Sequence, residues 1–113
     1  MAVYTPALLI VPTIMGNGAA NIATWRKQNV AGAGTFDVHR TTTFDCATGQ
    51  AVTLEVGATA ADTAAQKIMD AQAITAHVAL VQNWWIPVPN NSYFEGFGDT
   101  TTIVGSSSGY TYA

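Results

Sequence analysis

The chain has 113 residues, of which 49% are apolar but only four are Lys or Arg and seven Asp or Glu, for a net charge of −3. One domain with one core fits that length, and four scattered cations exclude the basic footprint that nucleic-acid binding requires. A single cysteine, Cys46, excludes an intrachain disulfide or a cysteine-built zinc site.

The opening run through Val11 is apolar, bracketed by Pro6 and Pro12 and without a basic flank. It does not read as a signal peptide, and it is far short of the roughly 20 residues that span a bilayer, so no membrane partner is expected. Residues 1–13 read instead as an apolar arm or strand, ahead of a single β-rich domain over 14–113. Tyr4, Leu8, Leu9 and Ile10 are its candidate partner-binding residues, because an apolar terminal strand can pair either with its own sheet or with a neighbour's edge.

Glycines at 16 and 18 mark a turn, and Asn21–Gln28 alternates as a strand does but equally fits one helical turn. Thr35–Asp45 is rich in β-branched and aromatic residues, with Phe36, Val38, Arg40, Thr42 and Phe44 sharing one parity and Arg40 the misfit on that face. With a Gly-containing turn at 46–50 and a second strand at 51–56, residues 35–56 predict a hairpin. After Gly57 the spacing Thr59 to Asp62 resembles a capping box. Ala64, Ile68, Ala71, Ile74, Val78 and Val81 then recur at helical intervals. That predicts a helix from 60 to 75, with continuation to 82 left open because His77–Trp84 also alternates.

Trp84 and Trp85 stand on an extended segment, so their indoles point to opposite faces and one is available as a partner anchor. Asn90–Ser92 matches a glycosylation sequon and reads as a polar turn. Tyr93–Gly98 interleaves aromatics with glycines. A strand starting at Thr100, a turn at Gly105–Gly109 and a return at Tyr110–Tyr112 predict a terminal hairpin. The expected fold is therefore α+β but β-rich, a small antiparallel sandwich or barrel with one helix.

Chemistry is sparse. His39 with Cys46 and either Asp37 or Asp45 is the one drawable nucleophile–base set, and its parity argues against convergence. His39 and His77 lack metal-ligand spacing, so no metal and no cofactor is expected, nor an enzyme. The aromatics Tyr93, Phe94, Phe97, Tyr110 and Tyr112 could build a stacking platform for sugars or bases, with core packing as the alternative.

The scarcity of Lys, the Thr/Ser/Ala/Gly-rich strands, the apolar amino-terminal arm and the Gly-Ser carboxyl-terminal hairpin together resemble small virion structural proteins of tailed bacteriophages, most of all capsid decoration (cement) proteins. That resemblance implies a non-enzymatic role. The protein would be located in the virion, and in the host cytoplasm during assembly, binding the major capsid protein of a finished shell, often as a homotrimer at local three-fold positions. The alternatives are a tail, neck or fibre component, or an extracellular carbohydrate-binding or adhesive module.

Overall fold

A computed structural model describes residues 3–99 and 103–113. Eight strands follow one another as β1 (Tyr4–Ile14), β2 (Arg26–Gln28), β3 (Phe36–Cys46), β4 (Gln50–Gly57), β5 (Gln66–Ile74), β6 (Leu80–Pro89), β7 (Tyr93–Gly98) and β8 (Ile103–Tyr112). A short 3-10 helix, Ala19–Thr24, separates β1 from β2. The strands form two four-stranded sheets, ordered β1-β8-β3-β6 and β2-β7-β4-β5.

The pairings reveal how the chain is folded. β1 pairs with β8, β2 with β7, β3 with β6 and β4 with β5, all antiparallel. The chain is thus one long antiparallel ribbon doubled back at the β4–β5 connection. Rolling that ribbon brings β3 against β8 and β4 against β7, which closes each sheet. This is the double-sheet jelly roll, two Greek keys wrapped around a common core. The β-rich sandwich with one short helix is the expected class.

Side chains from both sheets meet at Trp25, which is fully buried, tilted against Phe44 and edge-on to Phe94 at centroid distances of 6.0 and 5.7 Å. Its indole N–H donates to the Gly105 carbonyl at 3.0 Å, satisfying the one polar group that such burial would otherwise strand. Leu54, Val52, Val88 and Ile103 complete the centre, each with no exposed surface.

Several local expectations are overturned, each because a remote partner outweighs a local signal. β3 and β4 are both strands but lie in different sheets, so residues 35–56 are a crossing and not a hairpin. The helix expected over 60–75 is instead a turn followed by β5, an edge strand of which only Met69 and Ile74 are buried. Its Ala and Gln residues suit an exposed sheet edge, and pairing with β4 overrides their helical spacing. The Gly-Ser run at 105–109 is not a turn but the middle of β8, paired on both sides. Residues 100–102 of the expected terminal hairpin lie outside the described residues.

The glycines of that run answer to their neighbours. A Cβ on Gly105 would press on the Trp25 indole nitrogen at 2.9 Å and on Phe44 at 3.2 Å, and one on Gly109 would collide with the Val38 carbonyl. Asn90–Ser92 does form the turn between β6 and β7, with Asn91 at φ 66° and the Ser92 amide donating to the Pro89 carbonyl at 3.0 Å.

Candidate interaction surface

One line of irregularities crosses the β1-β8-β3-β6 sheet and decides which side chains face outward. The register of β1 on β8 shifts between Leu8 and Ile10, and that of β3 shifts between His39 and Thr41 against both neighbours. Bulges of this kind break the two-residue alternation. Phe36 and Val38 therefore lie on the outer face while Thr42 and Phe44 lie inside, and Arg40, the misfit of the sequence pattern, stands exposed at the break. In β1 the shift leaves Leu8 exposed but buries Leu9 and Ile10, at 8% and 6% exposure.

The six residues singled out from sequence thus divide. Leu9 and Ile10 face the core, Tyr4 and Leu8 face outward from a β1 that is seated in the chain's own sheet, and the two tryptophans split between the faces. Trp84 packs on the core and its N–H donates to Thr42 Oγ1 at 3.2 Å. Trp85 is 60% exposed and its N–H donates to the Tyr110 hydroxyl at 3.0 Å.

Three zones follow one another along the outer face. At one end Tyr4, Phe36, Val38, Trp85, Pro87, Tyr110 and Tyr112 line an open depression of about 330 Å³ with no charged lining residue. Tyr4 is wedged edge-on against Tyr110 and Tyr112 at 5.4 and 5.0 Å, so its ring is fixed although 61% exposed. In the middle Ser108 and Asn83 flank Thr41, whose hydroxyl donates to Asn83 Oδ1 at 3.2 Å, with Leu8 exposed beside Ser108 and Arg40 exposed at the break. At the far end Val11, Ile14 and Val104 are exposed on β1 and β8, Ile14 pairing directly with Val104, which is flanked on β3 by the exposed Asp45; Val81 is exposed on β6, across Thr43 and Ser106.

Sequence reasoning missed Phe36 and Val38, which reach the depression only because of the bulge, and Pro87, which shares the parity of Trp85 on β6 and was legible from it. Tyr110 and Tyr112 carried a usable signal in their spacing of two, which places both on one face of a strand. The other members of the proposed platform disperse. Phe94 is core, whereas Tyr93 stacks under the Arg26 guanidinium at 5.3 Å on the opposite sheet.

The inner face holds the buried polar groups. Trp84, Thr42, Ser107 and His39 form one chain, with Thr42 Oγ1 3.1 Å from Ser107 Oγ and the latter 2.7 Å from His39 Nδ1. His39 is fully buried against Phe94, at a ring distance of 4.1 Å. Desolvation, with the Lys27 ammonium adding to it, pushes its pKa down to about 3. The imidazole is thereby held neutral, Nδ1 sharing a hydrogen bond with the Ser107 hydroxyl, and Nε2 has no hydrogen-bond partner among the described residues. His39 was expected away from the apolar side, and the bulge instead turns it inward. It is brought to Ser107, not to Cys46. Cys46 is also buried, its thiol 4.0 Å from the Thr75 carbonyl, and burial followed by the Asp45 charge raises its pKa.

On the other sheet Glu55 and Glu95 are direct cross-strand partners. Glu95 is fully buried, accepting from Arg26 Nε at 2.8 Å and from the Ala61 amide at 2.9 Å. Among the described residues Glu55 has no such donors, and desolvation together with the Glu95 charge raises its pKa. Among the described residues no group of three or more His, Cys, Asp or Glu is placed to hold a metal ion.

The fold and this face define the class: a jelly-roll domain of eight strands among the described residues that leaves one sheet face uncovered, with Arg40 and Asp45 its exposed charges on β3. No protein-family model matches the sequence, and no curated protein matches it. Among solved structures it is similar to a chain of infectious bursal disease virus, Gx strain, with a TM-score of 0.54 and 11% identity over 99% of this chain. It spans about a third, 33%, of that viral chain. At this identity the likeness is one of fold.

Proposed function

We propose that this protein is a non-enzymatic structural component of a virion, working by packing against other virion proteins. The observation that carries the reading is the jelly-roll strand order, a fold used by viral capsid domains and shared over nearly the whole chain with the infectious bursal disease virus structure. The composition and the uncovered face add to it. A surface with so few charges suits fixed protein contacts, and the exposed aliphatic side chains of Val11, Ile14 and Val104 along β1 and β8 are the contact we assign to assembly.

The finer reading is a decoration subunit that binds a completed shell, as a homo-oligomer such as a trimer. A ligand that binds only the assembled state stabilises it by linkage, multiplied over many sites. Isolation of the native particle followed by light scattering and electron imaging tests both levels. Recovery in an icosahedral or helical assembly supports the virion reading, and its position on shell or tail decides the finer one. Recovery only as a soluble monomer or small oligomer overturns both.

A further inference from the structure

We infer that the aromatic depression on the β1-β8-β3-β6 face is a saccharide site, one that takes an uncharged sugar ring stacked on Trp85. This goes beyond the virion reading and does not rest on it.

The chemistry of the depression selects its occupant. Its walls are aromatic and proline rings and its floor is Val38, only 2% exposed. A sugar ring presents an apolar C–H face to such a surface, and aromatic side chains with a polar tip are suited to one dry and one wet side. The lining carries no charge, which removes the attraction a phosphorylated ligand or nucleotide would need.

What flanks the depression supplies the other half of recognition. Ser108, Thr41 and Asn83 form a row across β8, β3 and β6 beside the aromatic zone. Hydroxyl and carboxamide groups both donate and accept, as the alternating needs of ring hydroxyls require. Arg40 stands at the rim, its Nε donating to the Trp84 carbonyl at 2.8 Å, outside the lining itself.

Size and rigidity point the same way. About 330 Å³ is at the small end of ligand sites and gives room for one sugar ring. The platform is also preorganised. The Trp85 indole is tied to the Tyr110 hydroxyl and Tyr4 is wedged between two tyrosines, so little side-chain freedom is lost when a ligand stacks.

The test uses the full chain on an array of neutral and carboxylated glycans, followed by fluorescence titration with the best neutral oligosaccharide and with a proline-rich decapeptide. Saturable binding of a neutral sugar is expected. Trp85→Ala should weaken it at least roughly tenfold, and Asn83→Ala severalfold with an unchanged melting temperature. If Trp85→Ala fails to fold, Asn83→Ala and the indole N–H resonance of Trp85, which the sugar should shift, decide the matter. Absence of saturable glycan binding overturns the proposal, as does binding that Asn83→Ala and Trp85→Ala leave intact. Binding confined to carboxylated glycans would move recognition to Arg40 and overturn the uncharged assignment. Binding of the decapeptide alone would make the depression a peptide groove and overturn it as well.

Discussion

Acid should destabilise this fold between pH 7 and pH 5, and His39 is the reason. Its imidazole is sealed between the sheets and its pKa is held at about 3, against about 6.5 when the chain is unfolded. Between those values the unfolded chain binds a proton that the native state refuses, so stability falls as pH falls. The difference amounts to about 2 kcal/mol between pH 7 and pH 5, a substantial part of the 5–15 kcal/mol typical of a domain. His39→Asn keeps a polar group near the Nδ1 position facing Ser107 but cannot titrate. It should be less stable than wild type at pH 7 by roughly 1–3 kcal/mol, because the ring packed on Phe94 is lost. Its stability should nevertheless lack the 2 kcal/mol decline. Urea unfolding of both proteins at half-unit steps from pH 7 to pH 5 measures this, and every other titrating group cancels in the comparison. Parallel pH profiles would refute the reasoning, since they would mean that His39 takes up its proton in the folded state at an ordinary pH.

Glu55 should act with the opposite sign. Its pKa is raised in the fold, so its ionised form costs stability at neutral pH and that cost fades as pH falls through the folded value. Glu55→Gln should therefore stabilise the protein at pH 7, by up to about 1 kcal/mol in thermal melts, with the gain shrinking toward pH 4. Gly109→Ala drives a methyl into the Val38 carbonyl and should cost roughly 2–3 kcal/mol or more, seen as a lowered urea midpoint at unchanged slope. Deleting residues 4–14 strips Leu9 and Ile10 from the interior and exposes the β8 edge, so loss of the cooperative unfolding transition is expected. A folded, cooperative remainder would make the segment a detachable arm. The Cys46 thiol should react with iodoacetamide roughly a hundredfold more slowly in the native protein than in urea, as mass spectrometry would follow.

The depression shows how far a pattern carries. Trp84 and Trp85 were separable from sequence because adjacent residues on any extended chain face opposite ways, and no partner strand had to be known. Phe36 and Val38 were not, because they share a parity with Thr42 and Phe44 that the bulge at Arg40 breaks. An unbroken reading of parity puts them in the core. The same break misplaced His39, whose neighbours Ser107 and Phe94 lie 68 and 55 positions away in the chain.

By itself the sequence determined the material of the fold. β-Branched and aromatic residues specify extended chain at β3, β4 and β6, and Asn90–Ser92 specifies a turn. The scarcity of charge leaves a surface of hydroxyls, amides and apolar groups. Only the tertiary structure decided the pairing of first strand with last and second with seventh. It also turned an Ala-rich helical stripe into the edge strand β5 and carried a Gly-Ser run through the centre of a sheet. The physical reason is distance along the chain. Propensity and turn chemistry act within a few residues, whereas the free energy that selects a strand's place comes from ladder bonds and packing with partners as much as a hundred residues away.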